Sequence, residues 1–521
     1  MNKKTEPIVW RWIVAGAVFA AAFLVYYVTL APTITWSHDG VDSGDLVTAA
    51  ITGGVPHPPG YPTYMLLASA FAAGLPLSEP AKRVNVLSAL SAALASSLTS
   101  LTTFHLLDRL ANTQKENRLA EGTFSISAGL LLAFSPTHWS QAVITEVYAL
   151  HTAIVATIIT IILLYWHTDS PHKARIAWWG AALLLGLGAG NHLSILLLTP
   201  ALLLAIYWWI WPKERRVITW LGLVGSLCLG LTVYLTLPLR ARGQPPINWG
   251  DPQTLERFVW LVSGQLYRQY LFALPLSALP ARLASSAALL RQQFGLWGIG
   301  LGLVGVWYLF SEKRKIFYFT LLVYLSFLIY ALGYNTTDSY VYLLPGYIVF
   351  ALWIGYGMYS LWREWVRLQK DRRLAMVPLL LCLSLPIFSL ASYWPAIDLS
   401  QDRLALEYAQ KALHTVQPGA LLLTDGDGPT FALWYAHHGL GIRPDVAVIN
   451  IALWSYSWYR TTMGQLKPDI VFVRGEREPP ASLADLIEAN RANRAIYLTG
   501  EDSWLARAYL WHVEGNLLRL E

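Results

Sequence analysis

Cysteine and charged residues are both scarce in this chain of 521 residues, which contains two cysteines and only 13% charged side chains. Cys228 and Cys382 lie in different long apolar stretches, so the sequence offers neither a disulfide framework nor a CxxC metal motif. No HExxH motif is present, and no Ser-His pair has the pattern of a nucleophile with its base. Redox chemistry, a zinc site and the common hydrolase mechanisms are therefore excluded.

Apolar and aromatic residues are abundant instead. They include 24 Trp and 27 Tyr, and the apolar types together make up 55% of the chain. This composition predicts a polytopic α-helical membrane protein, with Trp and Tyr mostly at the two membrane interfaces. The net charge of +6 comes from Lys and Arg in short clusters between apolar runs, and not from one basic face, so nucleic acid is excluded as a partner.

The apolar runs are long enough to cross a bilayer, which needs roughly 20 apolar residues in a helix. The first run, residues 12–30, is long for the core of a signal peptide and is not followed by a small-residue cleavage site, so we assign it as a span. About eleven spans are predicted. Their starts lie near Trp12, Val84, Phe124, Gln141, Ile176, Leu193, Val217, Leu296, Ile316, Val341 and Leu374.

The basic clusters predict the orientation of these spans. Counted from the amino terminus as zero, every cluster falls in an even-numbered interval, and the positive-inside rule then places the amino terminus in the cytoplasm. The clusters are Lys3, Lys4 and Arg11; Arg109, Lys115 and Arg118; Lys173 and Arg175; Lys213, Arg215 and Arg216; Lys313, Arg314 and Lys315; and Arg363, Arg367, Lys370, Arg372 and Arg373. The polar segments between the other spans, and everything after about residue 393, are predicted to share the outer side.

A second domain is predicted after the last span, so we divide the chain into residues 1–394 and 395–521. In the second part, helical stretches (402–415, 429–438, 482–493) alternate with short aliphatic runs (420–424, 446–451, 470–474, 495–499). This alternation favours a small, open, mostly parallel α/β sheet. The turn "TDGDGPTF" follows the first of these strands, where such sheets bind ligands. The alternative is an Asp N-cap and a Gly turn that open the next helix.

Three aspartates and a histidine follow the first span in "SHDGVDSGDLVTAAITGGVPHPPGYP". On a helix starting near Ser43, Asp42 and Asp45 share one edge, and Asp39 precedes them. Capping of that helix is the structural alternative for Asp42. The proline-rich turn is expected to be rigid and to bring His57 back toward the same interface.

Other polar residues are predicted on the same side. Glu146 lies within the fourth apolar run, where a carboxyl group is costly unless it faces a polar cavity. Asn191 and His192 start the sixth span, with interfacial capping as their alternative role.

Two arginines and an aspartate complete this set. Arg240 and Arg242 lie at the outer end of the seventh span, where a guanidinium can bind a lipid phosphate; snorkelling is the alternative. Asp338 opens the tenth span, where an N-cap is the alternative.

These groups together suit one kind of chemistry. A carboxylate can act as general base toward an incoming hydroxyl, and an arginine can stabilise a departing phosphate. That division of roles fits transfer of a sugar from a lipid phosphate through an oxocarbenium-like state.

Six sequence blocks follow one another along the membrane part, namely "APTITWSHDGVDSGDLVTAAITGGVPHPPGYPTYMLLA", "RVNVLSAL", "FSPTHWSQAVITEVYALHT", "GLGAGNHLSILLLTPALL", "LPLRARGQPPINWGDP" and "NTTDSYVYLLPGY". In this order they resemble the blocks of the protein O-mannosyltransferase-like membrane family, glycosyltransferase family 117 of the GT-C superfamily. The carboxy-terminal segment "LLLTDGDGPTFALWYAHHGLGIRPDVAVIN" is similar to the soluble part of some bacterial members. The resemblance implies a GT-C fold of about eleven transmembrane helices, with the catalytic first outer loop at residues 32–83.

The resemblance also implies residue roles. The family's Asp-Ser-Gly-Glu pattern starts at Asp42 here and ends at Asp45, one methylene shorter than the usual Glu. Asp42 is expected to be the base, with Asp45 or His57 orienting it. The substrate-binding residues are expected to be Asp39, Glu146, Asn191, His192, Arg240, Arg242 and Asp338.

The predicted function is inverting transfer of a sugar, with mannose as one candidate, from a polyprenyl-phosphate donor to a protein or envelope-glycan hydroxyl. The predicted partners are membrane lipids, the lipid-linked donor and the acceptor. No cofactor or metal is predicted, although a divalent cation is left open. The expected location is the bacterial inner or plasma membrane. The alternative is a non-catalytic binder or carrier of lipid-linked glycans, which the few charges in the cytoplasmic halves of the spans, such as His105 and Asp108, disfavour.

Overall fold

The fold was analysed in a computed structural model that describes residues 6–109, 118–166, 168, 170–210, 216–369, 372–471, 480–500 and 503–521. The first half of the membrane part consists of α1 (Glu6–Val28), α2 (Ser43–Thr52), α3 (Pro62–Gly74), α4 (Pro80–Asp108), α5 (Arg118–Ala133), α6 (Pro136–Ala142), α7 (Val147–Tyr165) and α8 (Pro171–Ala189). The second half consists of α9 (Thr199–Ala205), α10 (Val217–Leu231), α11 (Thr236–Ala241), α12 (Leu255–Val262), α13 (Leu279–Glu312), α14 (Arg314–Gly333), α15 (Leu344–Leu368) and α16 (Val377–Ile397).

The described helices confirm an integral, polytopic helical membrane protein. Nine helical segments in those ranges are long and apolar enough to cross a membrane, and α5 with α6, bent by 67°, makes a tenth if the pair is one span. The one predicted span that these ten do not include starts near Ile176 and corresponds to α8, a helix of 19 residues with Lys173 in its first turn. The segment predicted to start near Gln141 instead begins at Val147, after the bend.

The predicted orientation depends partly on residues outside the described ranges, namely Lys3, Lys4, Lys115, Lys213, Arg215 and Lys370. It stays a prediction.

Burial separates the central spans from the peripheral ones. In the segment Ser339–Leu368, which contains α15, all residues of the most apolar stretch are buried. In Val217–Ala241 only 17% of the residues of that stretch are buried, so this segment faces outward. Glycines allow α15 to approach α13 closely: a Cβ atom at Gly305 would lie 1.8 Å from the Trp353 carbonyl oxygen. Only glycine fits at such a backbone contact.

The carboxy-terminal part is an α/β domain. Its elements are α17 (Leu404–Thr415), β1 (Leu421–Thr424), α18 (Asp427–Trp434), β2 (Ala447–Asn450), α19 (Ser457–Leu466), α20 (Pro468–Val471), α21 (Leu483–Asn490), β3 (Ile496–Leu498), α22 (Trp504–Ala508), β4 (Trp511–Glu514) and β5 (Leu517–Leu520). The sheet order is β2-β1-β3-β5-β4. The strands β2, β1 and β3 are parallel, and β5 and β4 continue the sheet antiparallel.

The sheet differs from its prediction in three respects. The run 470–474 is not a strand where it is described, because residues 470 and 471 belong to α20; residues 472–474 lie outside the described ranges. The hairpin β4–β5 was not predicted, although Gly515, with φ of 68°, marks its turn. With two parallel and two antiparallel pairings, the sheet is mixed and not mostly parallel.

The α/β domain packs directly on the loop and helix that follow α1. Asp402 accepts a hydrogen bond of 2.5 Å from the Thr35 hydroxyl, and the Trp36 indole donates to the Gly428 carbonyl at 3.1 Å. Tyr435 donates a hydrogen bond to Glu79. At Gly44, a Cβ atom would lie 2.3 Å from the Phe431 carbonyl oxygen. The first residues of α2 therefore touch the backbone of α18.

Gly44→Ala is expected to separate the two parts, because the added methyl group meets backbone atoms that cannot rotate away. Overpacking of this kind costs roughly 1–3 kcal/mol, which thermal unfolding of the purified protein in detergent would detect. The matched control is Gly16→Ala, where nothing lies within 4 Å of the added carbon. Equal melting temperatures for the two variants would contradict the close docking of α18 on α2.

Candidate active site

A short 3-10 helix, Ser37–Asp42, leads from the first span into α2. His38 and Asp39 adopt positive φ angles of 59° and 60° within it. Such backbone is uncommon for residues other than glycine and costs about 1–3 kcal/mol at each position. The strained turn directs two of its carboxylates, Asp39 and Asp42, toward a cavity.

Asp42 has no capping role, although it occupies the N-cap position of α2. Its side chain makes no cap hydrogen bond, so the capping alternative is wrong for this residue. The carboxylate is 40% exposed, and its Oδ2 lies 3.5 Å from Nε2 of His57. Asp42 therefore presents an unengaged oxygen to the cavity beside an imidazole.

Asp45 holds that imidazole from behind. It is fully buried, and its Oδ2 accepts hydrogen bonds from the His57 backbone amide at 3.0 Å and from Nδ1 at 2.7 Å. Its Oδ1 accepts from the Trp249 indole at 3.1 Å. Asp45 does not reach the cavity, so its shorter side chain suits a positioning role. The proline-rich turn does bring His57 back to α2, as predicted.

The electrostatics of the pair follow from burial and proximity. Although the Asp42 side chain is 40% exposed to the cavity, desolvation by the surrounding protein raises its pKa to about 6, against the lowering effect of His57, and Asp45 and two further carboxylates add to the rise. Burial alone would lower the pKa of His57, but Asp42 and the hydrogen-bonded Asp45 raise it to about 9. Near neutral pH the site thus holds an imidazolium beside a carboxylate whose basicity is suited to general-base catalysis.

The cavity measures about 750 Å³ and has two chemically different ends. Leu193, Leu196 and Leu197 line it at the start of a membrane segment, whereas Asp427 and Gly428 line it from the α/β domain. The polar lining consists largely of the tyrosines Tyr61, Tyr148, Tyr267, Tyr270, Tyr330, Tyr334 and Tyr342 and the carboxylates Asp39, Asp42, Asp338 and Asp427.

Five of the predicted site residues line this cavity, namely Asp39, Asp42, His57, His192 and Asp338. Asp39 accepts a hydrogen bond of 2.6 Å from the Tyr340 hydroxyl. His192 caps the helix after it through a hydrogen bond from the Ser194 amide, so its capping role is confirmed. The Asp338 side chain makes no cap hydrogen bond, so the alternative that Asp338 acts as a helix N-cap is wrong.

Glu146 and Asn191 support the site without lining the cavity. Glu146 was predicted to lie inside a span, but it is the N-cap of α7. Its side chain accepts a hydrogen bond from the Val147 amide at 3.3 Å. The Asn191 side chain donates to the Val147 carbonyl at 3.1 Å. Both residues therefore fix the start of α7, close behind the cavity wall.

Arg240, predicted to contact the donor phosphate, does not line the cavity, and its guanidinium binds protein groups. It donates to the carbonyls of Gly54 at 3.0 Å and Met65 at 3.2 Å, and to the Ser69 hydroxyl at 2.8 Å. The arginine thus ties the segments after α2 and within α3 together. Arg242 is exposed and does not line the cavity.

Arg268 is the residue that the sequence analysis missed. It lies in a short 3-10 helix, Gln265–Tyr270, and it is the only lysine or arginine among the described residues that line the cavity. The aromatic and basic run "YRQY" in the long loop 240–294 was the available signal. Among the described residues, no group of three or more His, Cys, Asp and Glu side chains is arranged to hold a metal ion.

Comparison with known protein families gives two matches. Residues 42–215 match the Protein O-mannosyl-transferase TMEM260 N-terminal domain, and residues 405–469 match TMEM260-associated domain 2. The chain is 28% identical to Protein O-mannosyl-transferase TMEM260 of Mus musculus, over 95% of this chain and 72% of that protein. It is 22% identical to the Dictyostelium discoideum protein of that name, over 93% of this chain but only 63% of the relative.

Solved structures share the fold. ArnT from Cupriavidus metallidurans bound to undecaprenyl phosphate superposes with a TM-score of 0.63 at 12% identity, over 98% of this chain and 97% of that one. The apo form gives 0.61 at 13% identity over the same shares. At such identity the likeness concerns the fold alone. Together these findings confirm the predicted family resemblance and the GT-C fold.

Proposed function

We propose that this chain, a GT-C membrane glycosyltransferase similar to the TMEM260 proteins, transfers mannose from a polyprenyl-phosphate donor to a protein hydroxyl with inversion. One observation carries the proposal: the Asp42 carboxylate, with His57 at 3.5 Å, faces a cavity that is apolar at its membrane end and polar at its other end. The names of the relatives support mannose and a protein acceptor.

The reaction requires one proton transfer and one displacement. Asp42 accepts the proton of the acceptor hydroxyl while that oxygen attacks the anomeric carbon from the face opposite the phosphate. The bond from the anomeric carbon to the phosphate oxygen breaks, and its electron pair leaves with the phosphate. His57 holds the Asp42 carboxylate ionised through its positive charge, and Asp45 fixes the orientation of the ring.

The membrane end of the cavity suits the donor lipid. Leu196 is 51% exposed and Leu271 is 45% exposed, although both line the cavity. Exposed leucines at a membrane-facing opening match the apolar tail of a polyprenyl chain, which leaves the phosphate near the tyrosines. The undecaprenyl phosphate bound to ArnT, a protein of the same fold, supports a donor of this class.

Arg268 is proposed to hold the donor phosphate in place of Arg240. Replacing it in Arg268→Gln removes one charge-assisted contact and is expected to lower kcat/KM by roughly tenfold to a hundredfold, mainly through KM for the donor. Arg242→Gln, an exposed arginine away from the cavity, is the matched control. An unchanged KM in the Arg268 variant would exclude the contact.

The remaining parts of the proposal concern orientation and metal use. We place the amino terminus in the cytoplasm and the cavity outside, from the distribution of basic clusters. The proposed mechanism uses the residues around Asp42 and no metal ion. Transfer is therefore expected to continue in the presence of a chelator. Loss of activity in chelator that returns with a divalent cation would correct this part.

The direct test uses the purified protein in lipid nanodiscs with labelled polyprenyl-phosphate mannose and a peptide rich in Ser and Thr. We expect a mannosylated peptide whose anomeric configuration is opposite to that of the donor. A product with retained configuration would exclude direct displacement. Tight donor binding without any product would favour the alternative of a lipid-linked glycan binder or carrier.

A further inference from the structure

The two proposed substrates differ in the route by which they can reach the cavity. A polyprenyl donor can enter only from the lipid, through the end formed by the membrane segments. A polar acceptor does not partition into lipid, so it must enter between those segments and the α/β domain. The residues that the α/β domain contributes to the lining are Asp427 and Gly428.

Negative charge dominates the lining. It contains four carboxylates, and Arg268 is the single Lys or Arg in the described lining. Asp42 has His57 beside it, and Asp39 has the Tyr340 hydroxyl. The structure gives no hydrogen bond or ion pair to the Asp427 and Asp338 side chains within its described ranges. The charge of His57 favours the ionised form of Asp427 against the effect of burial, and this carboxylate faces the cavity without a hydrogen-bond partner of its own.

The two carboxylates belong to different parts of the chain. Asp338 immediately precedes the membrane segment that begins at Ser339, which places it on the donor side. Asp427 is the first residue of α18, which places it on the acceptor side. Its neighbours fix it there, because Gly428 accepts from the Trp36 indole and Phe431 stacks on His57 with ring centroids 6.4 Å apart.

We infer that Asp427 selects acceptor segments that carry a lysine or arginine close to the reacting Ser or Thr. An ionised carboxylate can only accept hydrogen bonds, and an ammonium or guanidinium is its strongest partner. An acidic acceptor would instead add charge to a lining that already holds four carboxylates. The inference rests on the proposed function and adds the class of peptide that the site prefers.

A purely structural role for Asp427 makes a different prediction. An aspartate in the first turn of a helix interacts favourably with the helix dipole. Losing that interaction would lower stability, and the loss would affect every acceptor to the same extent. Charge selection instead changes the ranking of acceptors, so the ranking distinguishes the two roles.

The test compares peptides that differ at one position beside the acceptor Ser, which is Lys, Gln or Glu, with the full-length enzyme and a fixed donor. The wild type is expected to prefer Lys to Glu by roughly tenfold in kcat/KM, and added salt should reduce the preference. In Asp427→Asn the preference should fall to about threefold or less, and Asp427→Lys should favour Glu. Asp425→Asn, in the same turn but outside the cavity lining, is the matched control and should keep the wild-type ranking.

The outcomes separate the inference from the proposed function. If the wild type mannosylates all three peptides equally, or if Asp427→Asn keeps the full preference, charge selection by Asp427 is wrong and the transferase proposal stands. If no peptide is mannosylated although the donor binds, the protein acceptor is wrong, and the inference fails with it.

Discussion

Asp42→Asn is expected to lower kcat/KM for sugar transfer by roughly 10²- to 10⁴-fold, the usual contribution of a general base. The amide has nearly the size of the carboxylate but cannot accept the acceptor proton. Because the side chain makes no cap hydrogen bond to α2, the fold should tolerate the change. The melting temperature and donor binding should therefore stay close to those of the wild type.

The pH dependence provides a second measurement of the same residue. Since burial raises the pKa of Asp42 to about 6, the carboxylate is protonated below that pH and is lost as a base. The activity of the wild type should therefore fall as the pH drops through about 6, which gives its pH profile an acid limb. The small residual activity of Asp42→Asn should lack this acid limb. Asp398→Asn, an exposed aspartate that does not line the cavity, should behave as the wild type. Full turnover in Asp42→Asn would exclude Asp42 as the base.

Asp45→Asn is the second change for which we expect a large effect, although this side chain does not touch substrate. Both carboxylate oxygens accept hydrogen bonds from buried donors. An asparagine turns an NH₂ group toward one of those donors, and a buried donor without an acceptor costs about 1–3 kcal/mol. We expect a lower melting temperature and a loss of activity.

A shift in the pH profile would separate positioning from simple destabilisation. Asp45 raises the pKa of His57 through a hydrogen bond and its charge. Without Asp45, chiefly the charge of Asp42 offsets the effect of burial, so the pKa of His57 falls. Loss of the His57 charge raises the pKa of Asp42 by more than the missing Asp45 charge lowers it, because His57 is the larger of these two influences on Asp42. The acid limb of Asp45→Asn should therefore move to higher pH than in the wild type. Trp249→Phe removes only the donor to Oδ1 of Asp45, so its acid limb should stay at the wild-type pH. An acid limb that stays at about pH 6 in Asp45→Asn would contradict the positioning role of Asp45.

Much of the architecture is predictable from the sequence because it depends on local composition. Apolar length identifies the spans, and alternation of short aliphatic runs with helical stretches identifies β1, β2 and β3. The polar segment 135–140 interrupts the apolar sequence, but composition alone does not show that it forms the short helix α6 and that the next span begins only at Val147. The hairpin β4–β5 was missed because its strands are short and half exposed.

The site was predicted where its residues are neighbours in sequence. Asp42, Asp45 and His57 lie within one loop and helix, so spacing and turn residues indicate their proximity. Arg268 and Asp427 reach the same cavity from distant parts of the chain, and no local pattern marks such convergence. Arg240 shows the reverse case, because a guanidinium near an outer helix end is equally suited to carbonyl oxygens, which the folded loop supplies.

The contact between Phe431 and His57 joins two parts of the chain that are synthesised far apart in time. The chain leaves the ribosome from its amino end, and domains fold largely in that order. Asp42 and His57 follow the first span, whereas Phe431 and Asp427 follow the last. A nascent chain therefore acquires its base early, in a cavity that lacks one wall, and it gains that wall only when synthesis is nearly complete.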